Sequence, residues 1–243
     1  MRNSEEKYLY SIIQNITYNP SKLTVYVSDD KYIGGVLSPD TSNDDMLSKI
    51  MAYKTVYVSI IDADNKIKFS LQKAIENTYS DEVQSKFSMF DYPKGKEWEA
   101  FYYMENAVFR LSTLWDLLAQ LYRLKYLPNE KAERVYHKQF FEENKKKSQF
   151  SQNATVIVDY FNEKNNTEGL DGWKGNYGYV NELRNKLTHR NAPTISIGSS
   201  FDFNIKDHPS FQLKRIAEDY NQVSLFIEEI LQIIMQEIEN EKL

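Results

Sequence analysis

The chain contains no cysteine, so disulfide bonds, thiolate metal sites and cysteine nucleophiles are excluded. It has only three histidines, and their spacing fits no metal-binding pattern, which disfavours a metal hydrolase. No serine lies in a nucleophile elbow, which disfavours Ser-His-Asp chemistry. Eight glycines and six prolines among 243 residues provide few turns. This scarcity favours a few long helices over many short strands, so we expect an all-α protein.

Long hydrophobic runs are also missing. No stretch of about eighteen consecutive apolar residues occurs, so no membrane span is expected. The first six residues, Met1 to Glu6, are mostly polar or charged and lack the apolar centre of a signal peptide. The sequence therefore predicts a cytoplasmic protein with no membrane partner.

Apolar residues make up 41% of the chain and aromatic residues 14%, which is enough for a sizeable core. The net charge of -5 argues against a general nucleic-acid coat protein, although a local basic patch can still bind RNA. The run from Lys145 to Lys147 is more typical of a solvated helix end than of an RNA contact.

Apolar residues recur at helical spacing along most of the chain. This periodicity predicts helices over 5–16, 44–77, 97–127, 130–145, 151–162 and 177–189, and a last helix of about thirty residues with Pro209 in its first turn. Asp207 or His208 could cap that last helix. The polar group at 62–65 interrupts the second helix and predicts a kink or a break there.

The first part of the chain differs from the rest. Residues 1–42 are predicted to form an N-terminal extension with a short helix, a segment at 23–27 that could be a strand, and a loop. The segments around Gly169 and Thr194–Lys206 are predicted to be a flexible connection and irregular backbone. Residues 43–243 are predicted to form a single helical domain with long helices.

One helix end combines the residue types that chemistry needs. Asn185 and His189 lie one turn apart on one face, and the long side chain of Arg184 can reach over the same edge. An imidazole can take up or release a proton near neutral pH, and a guanidinium group offers a planar fork to phosphate oxygens. Asn185 could orient His189 or hold a substrate.

The run Arg184-Asn185-Lys186-Leu187-Thr188-His189 resembles the R-N-x-x-x-H form of the HEPN superfamily motif. The detailed resemblance covers those six residues. It implies an up-and-down helical bundle and a metal-independent endoribonuclease without a cofactor, in which the RNA 2′-OH attacks the phosphate. It further implies a toxin or defence effector, a homodimer with two facing motifs, and an antitoxin-like protein partner.

The resemblance also implies a polar residue on a facing helix that positions the arginine. Glu105, Arg110 and Asp116 are candidates, and we favour Asp116, whose alternative is an ordinary surface acid. Some toxins of the superfamily carry a tyrosine shortly after the histidine, whereas Arg190 to Pro193 follow here. Self-regulation through such a tyrosine is therefore not expected.

Three other interpretations remain open. Arg184 and His189 could simply cap a helix and pair with acids. The chain could be a non-catalytic helical module that binds RNA, a nucleotide or a protein partner, or it could be a purely structural dimer. His137 and His208 are expected to be structural or exposed rather than catalytic.

Overall fold

The computed structural model describes residues 2–23, 26–27, 31–32, 46–128, 135–146, 149–165, 173–189, 193–198 and 203–241. These residues fold almost entirely into helices, which confirms the all-α prediction. None of the helices in the described part of the chain is both long enough and apolar enough to cross a bilayer.

The helices are α1 (Arg2–Asn15), α2 (Met46–Thr78), α3 (Asp81–Lys86), α4 (Gly95–Tyr126), α5 (His137–Asn144), α6 (Ser151–Phe161), α7 (Asn176–His189) and α8 (Pro209–Glu241). Three antiparallel pairs of two-residue strands complete the described structure: β1 (Tyr26–Val27) with β2 (Lys31–Tyr32), β3 (Lys164–Asn165) with β4 (Trp173–Lys174), and β5 (Ile197–Gly198) with β6 (Phe203–Asn204). The helix α3 and the three pairings were not predicted.

The chain divides into two compact units. The first unit takes residues 1–17, 64–113 and 159–222, and the second takes 18–63, 114–158 and 223–243. The predicted boundary between residues 42 and 43 lies outside the described residues, so that division stays a prediction.

In the first unit, apolar side chains three and four residues apart are buried along one face of each long helix. They include Ile67, Leu71 and Ile75 of α2, Ala100, Phe101 and Met104 of α4, and Leu213, Ile216 and Tyr220 of α8. Burial of this stripe is what stabilises these helices, since propensity alone contributes little.

The predicted break at 62–65 is wrong, because α2 runs through it without interruption. Asp64 is buried and accepts a hydrogen bond from the hydroxyl of Tyr220. Its other oxygen lies 2.7 Å from the ammonium of Lys68, which also donates to the carbonyl of Ile16 at 2.6 Å. A charged residue can therefore interrupt the apolar stripe and still lie in the core, because its partners satisfy it.

An aromatic cluster forms the core of the second unit. Tyr122 packs edge-on against Phe141 with ring centroids 5.3 Å apart, and Phe150 lies 5.7 Å from Tyr122. The helix predicted over 130–145 is confirmed only from His137, since Val135 and Tyr136 are not helical and 129–134 lie outside the described residues.

The start of α8 identifies its cap. The Nδ1 atom of His208 accepts the backbone N–H of Ser210 at 3.2 Å, and Pro209 is the first helical residue. Of the two predicted caps, the structure thus selects His208. Its ring packs against Phe87 at 4.7 Å, and burial lowers the pKa of the imidazole below its usual value.

We expect this histidine to make stability depend on pH. The unfolded chain protonates His208 near its ordinary pKa of ~6.5, whereas the folded chain does so only at lower pH. The unfolded state therefore binds more protons in that window, and stability falls as the pH drops through ~6.5. Urea unfolding at several pH values between about 7.5 and about 5.5 measures the free energy of unfolding. This free energy should fall more steeply with decreasing pH in the wild type than in His208→Asn, which keeps a cap acceptor but does not titrate. An equal fall of the unfolding free energy in the two proteins would contradict this prediction.

Candidate functional site

The candidate motif lies on α7, and the start of that helix is fixed by close backbone packing. The N–H of Gly175 donates to the carbonyl of Glu163 at 2.8 Å. A Cβ atom at Gly175 would lie 2.5 Å from that same oxygen, so no other residue fits without a backbone shift. Tyr177, Val180 and Leu183 are buried at helical spacing and hold one face of α7 against the first unit.

The side chains of Arg184 and Asn185, which are neighbours in the sequence, are hydrogen-bonded to each other. The Nη1 atom of the partly exposed Arg184 donates to Oδ1 of the exposed Asn185 at 3.2 Å. Within the described residues, no carboxylate pairs with Arg184. The interpretation that Arg184 merely pairs with acids is therefore not supported by this part of the chain. The sequence did not suggest this hydrogen bond between the two neighbouring side chains.

His189, the predicted end of α7, is the last residue of that helix that the structure describes. Its backbone lies one turn after Asn185 and five residues after Arg184. The side chain of His189 lies outside the described residues. Convergence of its imidazole with the guanidinium of Arg184 therefore stays a prediction.

Asp116 belongs to the second unit, whereas Arg184 belongs to the first. The Oδ1 atom of Asp116 lies 2.6 Å from Nδ1 of His137 and accepts the backbone N–H of His137 at 3.2 Å. Asp116 thus satisfies a donor at the first residue of α5, and His137 has the structural role that was expected. A role of Asp116 in positioning Arg184 stays a prediction.

The other two positioning candidates are in the first unit. Glu105 is partly buried, and desolvation raises the pKa of its carboxyl group. Arg110 donates to the carbonyl oxygen of Asn106 at 2.9 Å and to the side-chain oxygen of Asn106 at 3.2 Å. These contacts connect Arg110 to its own helix.

A cleft that sequence reasoning missed lies beside α7 in the first unit. Its volume is about 140 Å³, and it is lined by Tyr179, Glu182, Leu183, Lys186, Pro193, Asn204, Ile205, Asp207 and Gln212. These residues come from α7, from the chain just before β5, from β6 and the residues between it and α8, and from the first turn of α8. Helical periodicity could indicate the α7 residues, but no sequence signal placed the other segments against them.

The cleft is charged and polar. The ammonium of Lys186 lies 3.3 Å from the carboxylate of Glu182. The hydroxyl of Tyr179 donates to Oδ2 of Asp207 at 3.4 Å, a long hydrogen bond. Although Asp207 is largely exposed, desolvation raises the pKa of its carboxyl group, while the Tyr179 hydrogen bond and the nearby charge of Lys186 oppose the shift.

Comparison with known proteins does not identify a family. No family model, no curated protein and no solved structure matches the chain. The HEPN resemblance of the run from Arg184 to His189, with its implied toxin role, homodimer and antitoxin-like partner, stays a prediction.

Proposed function

We propose that the chain is a metal-independent endoribonuclease whose active site lies at the C-terminal end of α7. The carrying observation is that Arg184 donates a hydrogen bond to Asn185 and pairs with no carboxylate in the described part of the chain. Its guanidinium group therefore keeps donors for a phosphate, which it can bind through two parallel hydrogen bonds.

The reaction needs proton transfer and charge stabilisation. The 2′-oxygen attacks the adjacent phosphorus, a base takes its proton, and the bond to the 5′-oxygen breaks as an acid protonates that oxygen. The imidazole of His189 suits either proton-transfer role near neutral pH, and Arg184 stabilises the negative charge that develops on the phosphoryl oxygens. One imidazole serves one role at a time, so a facing second copy, as the resemblance implies, would supply the other.

The test is incubation of the purified chain with single-stranded RNA of mixed sequence in the presence of EDTA. We expect fragments ending in a 2′,3′-cyclic phosphate and beginning with a 5′-hydroxyl. A matched RNA with 2′-O-methyl groups should stay intact, because its nucleophile is blocked. Fragments with 3′-hydroxyl ends, cleavage of the methylated strand, or intact RNA throughout would contradict the proposal.

A non-catalytic module is the second candidate, favoured by the polar cleft beside α7. An arginine that offers free donors to a phosphate serves a module that only holds RNA or a nucleotide equally well. Retention of RNA without cleavage, together with weaker retention by Arg184→Ala, would favour this module over the enzyme. A toxin or defence role and an antitoxin-like partner follow from the resemblance alone.

A further inference from the structure

Aromatic side chains cover part of the surface of the first unit. Trp98 and Tyr102 of α4 are each 48% exposed, and their rings stack with centroids 5.4 Å apart. Tyr102 packs edge-on against Tyr103 at 5.3 Å, and Tyr103 packs in the same way against Phe69 of α2 at 6.2 Å. Phe69 is 57% exposed, and Phe109, further along α4, is 42% exposed. Exposed apolar patches made of several neighbouring side chains mark interaction sites.

The spacing of the exposed residues on α4 is that of a helix-packing seam. The α4 seam consists of Trp98, Tyr102, Glu105 and Phe109, which follow one another at intervals of four, three and four residues. These intervals place all four side chains on one side of the helix, in the pattern with which one helix packs lengthwise against another. Glu105 lies in the middle of the seam, and no cation of the described residues forms an ion pair with it.

The charges beside the α4 seam disfavour a nucleic acid as its occupant. The carboxylate of Glu105 lies among the rings and repels phosphate groups. Lys96 is already paired with Glu99 at 3.1 Å, and on α2 Lys73 is paired with Glu76 at 2.6 Å. Binding of a nucleic acid depends on cations that neutralise its phosphates. The occupant that fits is instead an apolar protein surface with a hydrogen-bond donor for the carboxylate.

A second copy of the same helix is such a surface. When two α4 helices pack antiparallel about a two-fold axis between positions 103 and 104, Tyr102 faces Glu105 of the second copy. In the same arrangement Trp98 faces Phe109, and both pairings occur twice because the interface is isologous. The hydroxyl of Tyr102 can then donate to the carboxylate. A parallel arrangement would place the two Glu105 carboxylates opposite each other, where they repel.

We propose that the α4 seam binds a second copy of this chain as an antiparallel helix pair. Buried aromatic side chains cover ~150–250 Å² each, so the four half-exposed rings offer roughly 300–500 Å² per copy. Two copies would bury roughly 600–1,000 Å², which is less than the ~1,200–2,000 Å² of stable complexes, so we expect a weak dimer. The HEPN resemblance implies a dimer with facing motifs and does not assign this surface. Because no residue of the motif takes part, the inference does not rest on the proposed function.

The test is sedimentation velocity of the intact chain from about 1 µM to about 200 µM, where we expect a dimer fraction that grows with concentration. Tyr102→Glu should raise the dissociation constant of the dimer at least ~10-fold, because it places a second carboxylate opposite Glu105. Tyr102→Lys should raise it less, because its ammonium can pair with that carboxylate. Leu225→Glu, a matched change at an exposed apolar residue of α8, should leave the constant unchanged.

The antiparallel register has its own test, because the chain has no cysteine and every introduced thiol is unique. A mixture of Tyr102→Cys and Glu105→Cys chains should form disulfide-linked dimers on oxidation, since these two positions face each other. Each variant alone should cross-link much less. Equal cross-linking by either variant alone would overturn the antiparallel arrangement.

The other outcomes are equally decisive, provided that circular dichroism shows each variant to be folded. A monomer at every concentration, or equal effects of Tyr102→Glu and Leu225→Glu, would overturn the proposal. Binding of RNA by a monomeric chain, lost in Tyr102→Glu, would also overturn it and assign the seam to RNA. A dimer that fails to cleave RNA would support the α4 interface while contradicting the endoribonuclease proposal.

Discussion

Replacing Arg184 with alanine is expected to slow RNA cleavage by about 10²–10³-fold, the usual effect of removing one group that stabilises transition-state charge. The side chain is partly exposed and its hydrogen bond goes to the exposed Asn185, so the free energy of unfolding should change by less than about 1 kcal/mol. Arg184→Lys keeps the charge but loses the fork and should recover only part of the rate. Initial cleavage rates of a fluorescent RNA measure this.

The second variant of the proposed active site is His189→Gln. We expect a loss of about 10²–10⁴-fold, because glutamine keeps a polar side chain but transfers no proton. The double variant should be little worse than the poorer single variant, since groups that act on one transition state are not additive. Lys214→Ala, which removes an exposed cation of the same unit, should cleave like the wild type. Cleavage by Arg184→Ala at the wild-type rate would refute the active-site assignment.

Helix positions could be predicted wherever one face of a helix is continuously apolar. The α4 helix was predicted at 97–127 and runs Gly95–Tyr126, and the last helix was predicted with Pro209 in its first turn and begins there. The helical course of α7 up to His189 was likewise predicted from its spacing. These signals are local, because capping and periodicity depend on residues within a few positions of each other.

Features that depend on distant residues could not be predicted. Asp64 looks like a helix breaker until Tyr220, 156 residues away, is seen to donate to it. The contact of Asp116 with His137 likewise joins residues 21 positions apart. The cleft depends on Asp207 and Gln212 packing beside α7, and neither residue belongs to a motif. In each case the deciding partner is set by tertiary packing.

The largest expected loss of stability comes from Lys206→Met in the first unit. The side chain of Lys206 is completely buried, and its ammonium lies 2.6 Å from Oε1 of Glu97, an ion pair whose angle is poor for a hydrogen bond. The ammonium also donates to the carbonyl of Asp91 at 2.6 Å and lies 5.2 Å from the centre of the Phe87 ring. Methionine leaves the buried Glu97 carboxylate unpaired, so we expect a loss of about 3–5 kcal/mol in urea unfolding.

The control is Lys73→Met, which breaks an ion pair with Glu76. The two side chains are 39% and 40% exposed, so losing this pair should change the free energy of unfolding very little. Adding Glu97→Gln to Lys206→Met should restore part of the loss, because the neutral amide is cheaper to bury than an unpaired carboxylate. Equal, small losses for Lys206→Met and Lys73→Met would show that the buried pair does not hold this segment in place.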